Sequence, residues 1–319
     1  MLILSNEDIE KILPVGACLE VLEEAYRDLG NGMAATVPRY DVFSPTKPGE
    51  FYEYKTMSGV LPARNIAALR LNSSVVKWYE KAGGIRKDKL PVAGGDKFVG
   101  LVMLFSTETG EPLAIFPDGY VQKLRVAGAS AIAARYLARK DATVMALLGT
   151  GWQASAHLVT LSMVRDLRQV RVYSPTPESR RRFVENWSGK VAAQLIECAS
   201  ANEAIETADM VICTTNSISP LFDGEILSSG GSCLLCQAVR ARRGDLSARR
   251  SIDHSLARGE TVSDRDWRRT PVYSGCRRRL AASSYARRLR DLELSNSFPV
   301  GQQRASGAHE STGDQLFLQ

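Results

Sequence analysis

The chain has 319 residues, of which 44% are hydrophobic and 24% charged; that composition argues against wholesale disorder and leaves room for two domains. The net charge of +6 is unevenly spread: residues 232–319 hold 16 Arg, no Lys and 9 acids, whereas residues 1–231 hold 25 basic and 26 acidic residues. Most of the surface therefore carries no basic footprint for nucleic acid, no apolar run approaches the roughly 18 residues of a membrane span, and six scattered cysteines fit a reduced, cytoplasmic setting better than a disulfide scaffold.

The opening MLILSNEDIEKIL lacks a basic stretch before its apolar residues, unlike a secretory signal. Residues 5–31 have helical periodicity, with Ser5 as a capping residue, acids in the first turn, and a break expected at Pro14 and Gly16. Residues 41–44, 52–57, 66–71 and 98–105 are rich in β-branched and aromatic residues and predict strands. Thr107-Glu108-Thr109-Gly110-Glu111-Pro112 is a turn, with residues 113–116 returning as the partner strand. Residues 80–97, rich in Lys and Gly, predict an exposed loop. Residues 119–140 are alanine-rich and helical.

From residue 143 the pattern changes. Short apolar runs at 143–148, 170–173, 194–197 and 210–214 alternate with helical stretches at 152–167, 177–187 and 201–208, as in a parallel α/β sheet. Between the first strand and its helix lies Gly149-Thr150-Gly151-Trp152-Gln153-Ala154. In such a turn the first glycine allows the tight bend and the second lets the backbone approach a pyrophosphate. The alanine permits close helix–strand packing, and the helix N-terminus faces the anion. At the end of the second strand, where an acid would bind the ribose of NAD, the chain has Ser174-Pro175-Thr176 followed by Arg180, Arg181 and Arg182. That favours NADP(H), with NAD(H) the other possibility.

Arg39, Arg70 and Arg125 stand out in the first half. Arg70 closes an apolar run, where a buried cation needs an anion, and a guanidinium suits bidentate capture of a carboxylate. His157 early in a buried helix reads as structural. Cys233 and Cys236 lack the second pair or histidine that a zinc site needs.

Residues 2–231 resemble the ornithine cyclodeaminase/mu-crystallin family. The likeness rests on Leu4-Ser5-Asn6-Glu7-Asp8, Val37-Pro38-Arg39, Thr109-Gly110-Glu111-Pro112-Leu113 and Leu124-Arg125-Val126-Ala127-Gly128-Ala129-Ser130-Ala131. It continues through the Gly149–Ala154 turn, Val172-Tyr173-Ser174-Pro175-Thr176, and Ala208-Asp209-Met210-Val211-Ile212 leading to Thr214-Thr215-Asn216.

The resemblance implies an α/β protein: an N-terminal β-rich α+β domain for dimerisation and substrate (1–120), and a Rossmann-type parallel sheet domain for NAD(P)(H) (121–231). It implies a homodimer acting on a small amino acid or cyclic imine by hydride transfer at the α-carbon. Cyclodeaminases, ketimine or imine reductases, alanine dehydrogenases and a non-catalytic crystallin are the family's alternatives. Arg39 and Arg125 would clamp the substrate carboxylate. Arg70 stands where cyclodeaminases carry a lysine. The cofactor would meet Gly149, Thr150, Gly151, Trp152, Gln153, Ser174, Thr176, Arg180, Thr214, Thr215 and Asn216.

The resemblance predicts a Gly-Thr-His-like segment and a catalytic aspartate after Gly231. The chain instead has Ser232-Cys233-Leu234-Leu235-Cys236-Gln237-Ala238, with Asp245 the nearest acid, and the catalytic residue is unassigned. Residues 232–319, with 16 Arg and 12 Ser, have the composition of GC-rich DNA read out of frame. The expectation is a replaced, poorly folded tail that exposes an edge of the parallel sheet and inactivates the protein; a genuine basic tail is the other reading.

Overall fold

The computed structural model describes residues 1–81, 84–90, 99–217, 220–222, 226–227, 232–235 and 251–253. Cys236, Asp245 and the chain beyond residue 253 lie outside the described residues, as do residues 91–98.

The first half builds a mixed sheet. Its strands are β1 (Leu2–Ile3), β2 (Ala35–Thr36), β3 (Tyr40–Lys47), β4 (Glu50–Leu61), β5 (Ile66–Lys81), β6 (Gly84–Leu90), β7 (Val99–Ser106) and β8 (Pro112–Pro117). The order is β1-β8-β7-β5-β4-β2, with β3 also on β4 and β6 also on β5; every pairing except β1 with β8 is antiparallel. β4 turns into β5 through a short 3-10 segment, Pro62–Arg64, closed by Asn65 in the left-handed region at φ 53°. Two differences from the sequence expectation matter. β5 runs well past residue 71, so Arg70 lies within the strand and not at its end. Residues 84–90, expected to form a loop, are a strand. Their polar composition obscures an alternation that only the pairing with β5 reveals.

Helices α1 (Asn6–Ile12) and α2 (Val15–Gly30) break where Pro14 and Gly16 predict, and Ser5 and Asp8 form a reciprocal capping box on α1. Helix α3 (Gly119–Leu137) packs on α2 through Gly128, where an added Cβ would lie 2.7 Å from Leu22 Cδ1. α3 stops before residue 140. Arg165 there caps it, donating to the carbonyls of Ala134, Arg135 and Ala138 at 2.6, 3.1 and 3.1 Å.

The second sheet is wholly parallel, in the order β11-β10-β9-β12-β13-β14. Its strands are β9 (Val144–Leu148), β10 (Gln169–Tyr173), β11 (Gln194–Glu197), β12 (Met210–Cys213), β13 (Ser232–Leu235) and β14 (Ser251–Asp253). With β9 counted as the first strand this is the doubly wound order 3-2-1-4-5-6. Its helices include α4 (Trp152–Ser162), α5 (Pro177–Trp187) and α6 (Ala201–Ile205); α4 ends five residues earlier than its periodicity suggests. β9 is buried on both faces. Met145 and Leu147 join Ala154, Leu158 and Leu161 in one core, while Ala146 and Leu148 join Ala204 and Ile205 in another.

β13 and β14 extend the sheet past β12, into the segment where a replaced tail was expected. Cys213 pairs with Leu235, and Leu235 with Asp253, so the segment from residue 232 supplies two strands. The run Cys233-Leu234-Leu235 has the apolar character that an inner parallel strand needs.

Candidate functional site

The carboxyl ends of β9, β10 and β12 meet where the strand order reverses, and the predicted dinucleotide residues follow those three strands. Gly149 has φ +114°, and a Cβ there would lie 2.7 Å from Thr214 Oγ1 and 3.1 Å from the Thr214 backbone; only glycine fits. Its N–H donates to the Tyr173 carbonyl at 2.7 Å, tying the turn to the end of β10. Thr214 donates to the Leu148 carbonyl through its N–H at 2.8 Å and its hydroxyl at 3.1 Å. The turn is thus held on two sides before any ligand arrives.

Gly151 is the N-cap of α4, with no side-chain cap, and an added Cβ there would meet no heavy atom within 4 Å. The backbone is bare toward open space at the positive end of a helix dipole. Gln153 Oε1, in the first turn of α4, is buried without a hydrogen-bond partner among the described residues. The bare backbone end of α4 at Gly151 fits a dinucleotide pyrophosphate. Trp152 is half exposed, with Lys123 Nζ 5.9 Å from its ring centroid.

Arg180, expected near a ribose phosphate, has partners within the chain. It is buried, donating to the Ser174 carbonyl at 2.7 Å and to Glu197 Oε1 at 3.2 Å. Arg181 and Arg182 are exposed on α5, and Thr176 caps α5 without a side-chain bond. Thr215 Oγ1 accepts from the Ser217 N–H at 3.3 Å. Asn216 is held by β6: it accepts from Arg86 Nη1 at 3.1 Å and donates to Asp88 Oδ1 at 2.5 Å.

Two of the three first-half arginines already hold carboxylates. Arg39 makes a bidentate pair with Asp41 at 2.7 and 2.8 Å. Arg70 donates to Asp118 Oδ2 through Nε at 2.8 Å and Nη2 at 2.5 Å, and to Met57 Sδ through Nη1 at 3.2 Å. Asp118 Oδ1 is buried without a partner among the described residues. Gly100 makes room for this pair, since a Cβ there would lie 2.7 Å from Asn72 Nδ2 and 3.0 Å from Asp118 Cβ. Arg125 sits in the first half of α3, partly buried and close enough to Tyr26 to bear on its ionisation. His157 is fully buried between α3 and α4, its Nε2 2.9 Å from Ser130 Oγ and its Nδ1 2.8 Å from the Gln153 carbonyl.

Sequence reasoning missed Asp118 and a charged group on β4 and β6. Glu53 Oε2 contacts Lys55 Nζ at 2.6 Å and accepts from Ser74 Oγ at 3.3 Å, while Glu53 Oε1 accepts from Lys87 Nζ at 2.5 Å. Lys89 Nζ donates to Asn72 Oδ1 at 3.2 Å. Cross-strand register joins these residues to the arginines: Lys55 pairs with Asn72, Met57 with Arg70, and Asp41 with Lys55, so all point to one face of the sheet. Burial, with Lys89 nearby, lowers Lys55 to about 7, and burial lowers Lys89 as well. Burial alone would raise Glu53, but Lys55 and Lys87 hold it below the ordinary carboxylate range. The signal for this group was the alternation Glu53-x-Lys55-x-Met57, charged residues at the parity of an apolar face.

A sequence model of the ornithine cyclodeaminase/mu-crystallin family matches residues 1–249, well past Gly231, where the resemblance was expected to end. A Delta(1)-pyrroline-2-carboxylate reductase from Bacillus cereus is 35% identical over 127 residues, 40% of this chain and 39% of that protein. The match thus spans about two-fifths of that relative's length. Among solved structures, the Thermococcus litoralis Delta(1)-pyrroline-2-carboxylate reductase in complex with NADH and L-proline aligns at 26% identity and TM-score 0.61, covering 74% of this chain and 68% of that one. An archaeal alanine dehydrogenase dimer with bound NAD aligns at 27% identity and TM-score 0.62, covering 73% and 66%.

Proposed function

The chain belongs to the ornithine cyclodeaminase/mu-crystallin family, and on that premise we propose that it is an NAD(P)-dependent oxidoreductase that interconverts a small amino acid and its imine by hydride transfer at the α-carbon. The observation that carries this reading is the glycine turn. Gly149 is locked against Thr214, Gly151 opens to space, and the bare N-terminus of α4 is placed to receive a pyrophosphate. Bound there, a nicotinamide supplies the hydride chemistry. The chain's own part is to hold the diphosphate on the Gly149–Gly151 backbone, bound the site with Thr214 and Thr215, and orient the substrate carboxylate with cationic side chains of the mixed sheet.

Arg70 separates this reading from a cyclodeaminase. A guanidinium stays protonated at any physiological pH, so it cannot take the base role of a lysine, and here it is already bonded to Asp118. An enzyme that needs only the hydride step fits better. Arg180 is engaged by Glu197 and the Ser174 carbonyl, so a 2′-phosphate would fall to Arg181 or Arg182, and NADP(H) preference rests on those two and on the missing acid at the end of β10. The same reading includes a homodimer, supported by exposed apolar side chains on α2 and β3 such as Val21, Leu29, Val42 and Phe43. It also includes a reduced cytoplasmic setting, which suits the buried thiols of Cys18, Cys198 and Cys213.

Fluorescence titration of the full chain with NADH and NADPH in parallel tests the proposal. Saturable binding of either is expected, with NADPH the tighter. Gly151→Ala adds a methyl that meets no protein atom, so it should leave the melting temperature unchanged and weaken the cofactor about tenfold or more by denying close backbone approach. No binding by the folded wild-type chain, or an unaltered affinity in Gly151→Ala, would sink the proposal.

A further inference from the structure

Strand β6 is bonded to the loop that follows β12, and that loop lies against the glycine turn. Asn216 donates to Asp88 Oδ1 at 2.5 Å and accepts from Arg86 Nη1 at 3.1 Å. Beside these bonds the backbones of Arg86 and Ser217 form an isolated antiparallel bridge. Asp88 is held in turn from β5, where the Tyr79 hydroxyl donates to its other oxygen at 2.6 Å. Two residues before Asn216, Thr214 sits against Gly149 and donates twice to the Leu148 carbonyl. A line of contacts therefore runs from Tyr79 through Asp88 and Asn216 to the threonines beside the turn. Asn216 was expected to meet the cofactor, yet both ends of its amide are oriented by β6.

The strand order sets which part of a dinucleotide this loop faces. β10 and β12 flank β9 on opposite sides. In a doubly wound sheet the diphosphate sits at the glycine turn and the adenosine ribose at the end of the next strand, here β10. The loop after β12 lies on the other side of the turn, which leaves it the nicotinamide half. We propose that Asp88 is a positioning residue for that half of the cofactor: through Asn216 it fixes the loop at 214–217, so that a strand of the mixed sheet shapes the dinucleotide site. The inference rests on the proposed oxidoreductase reading and deepens it by assigning the group that holds the loop. A loop without this hold would have to be ordered by the ligand, and ordering lowers affinity. The adenosine half, bound at β10, does not carry that cost.

Calorimetric titration of the full chain with NADH and NADPH, and with the adenosine fragments ADP and 2′,5′-ADP, tests this inference. Asp88→Ala should weaken the tighter dinucleotide at least about fivefold, the scale of a lost hydrogen bond to a charged group, and move its fragment by less than about twofold. A general loosening of the fold would weaken dinucleotide and fragment together. Asn216→Asp sets a second carboxylate against Asp88 and should weaken the dinucleotide at least as much. Adding Asp88→Asn to it reverses donor and acceptor: the side chain at 88 then donates, the one at 216 accepts from it and from Arg86, and Tyr79 keeps its acceptor. Affinity should return to within about twofold of wild type. The inference alone is overturned if Asp88→Ala leaves dinucleotide affinity unchanged or shifts dinucleotide and fragment by the same factor. It is also overturned if the double variant stays as weak as Asn216→Asp, which would make Asn216 a direct ligand. A folded wild-type chain that binds neither dinucleotide removes this inference and the oxidoreductase reading together.

Discussion

Lys55 shows how far a single side chain can be driven by its surroundings. Its ordinary value is 10.5, and burial, with Lys89 beside it, brings it to about 7. Between those two values the unfolded chain holds a proton at this position that the folded chain has released. Stability must therefore rise with pH across the window from about 7 to 10.5, and below 7 the cost of the buried ammonium is present in full. Urea unfolding of wild type and Lys55→Met at several pH values in that window should show this. Wild type should gain stability relative to the variant steadily as pH rises, and a difference constant with pH would contradict the assignment. The arrangement of this residue was only half visible in the sequence. Gly149 was legible because its motif dictates a local backbone conformation. Arg70 was legible as a cation that needed an anion, yet its partner, Asp118, lies 48 residues away, and no local pattern joins them.

At the scale of elements, the structure depends on side chains that satisfy the ends of their neighbours. Asp209, just before β12, accepts from the N–H groups of Thr143 at 2.8 Å and Val144 at 3.0 Å and pairs with Arg139, fixing the start of β9. Asp209→Ala should cost about 1–3 kcal/mol, because it orphans two amides at once, and chemical denaturation reads this directly. Asp118→Ala should cost more, roughly 3–5 kcal/mol, since it strands the largely buried Arg70 guanidinium. The short strand at 194–197 was readable residue by residue, and the apolar run at 210–214 to within one residue. β6 was not, because its Lys-rich composition mimics a loop until it is paired with β5. The early end of α4 was equally hidden: Arg165 leaves the helical path to cap α3, a tertiary choice that propensity does not encode.

For the whole molecule, the doubly wound order puts the glycine turn, the end of β10 and the Thr214 loop at one switch point. The exposed apolar residues of α2 and β3 lead to the expectation that sedimentation will report twice the 34.9 kDa of the chain; a concentration-independent monomer would remove the dimer from the proposal. Composition changes near residue 232, yet the Arg- and Ser-rich segment still contains the short apolar run that forms β13.

β6 carries one more consequence. Successive residues of a strand face opposite ways, and β6 uses both directions: Lys87 and Lys89 reach Glu53 and Asn72, whereas Arg86 and Asp88 hold Asn216. One strand therefore spells two messages in alternate letters. Shifting its reading by a single position would send each set to the other's address, facing Arg86 and Asp88 toward Glu53 and turning the lysines to Asn216.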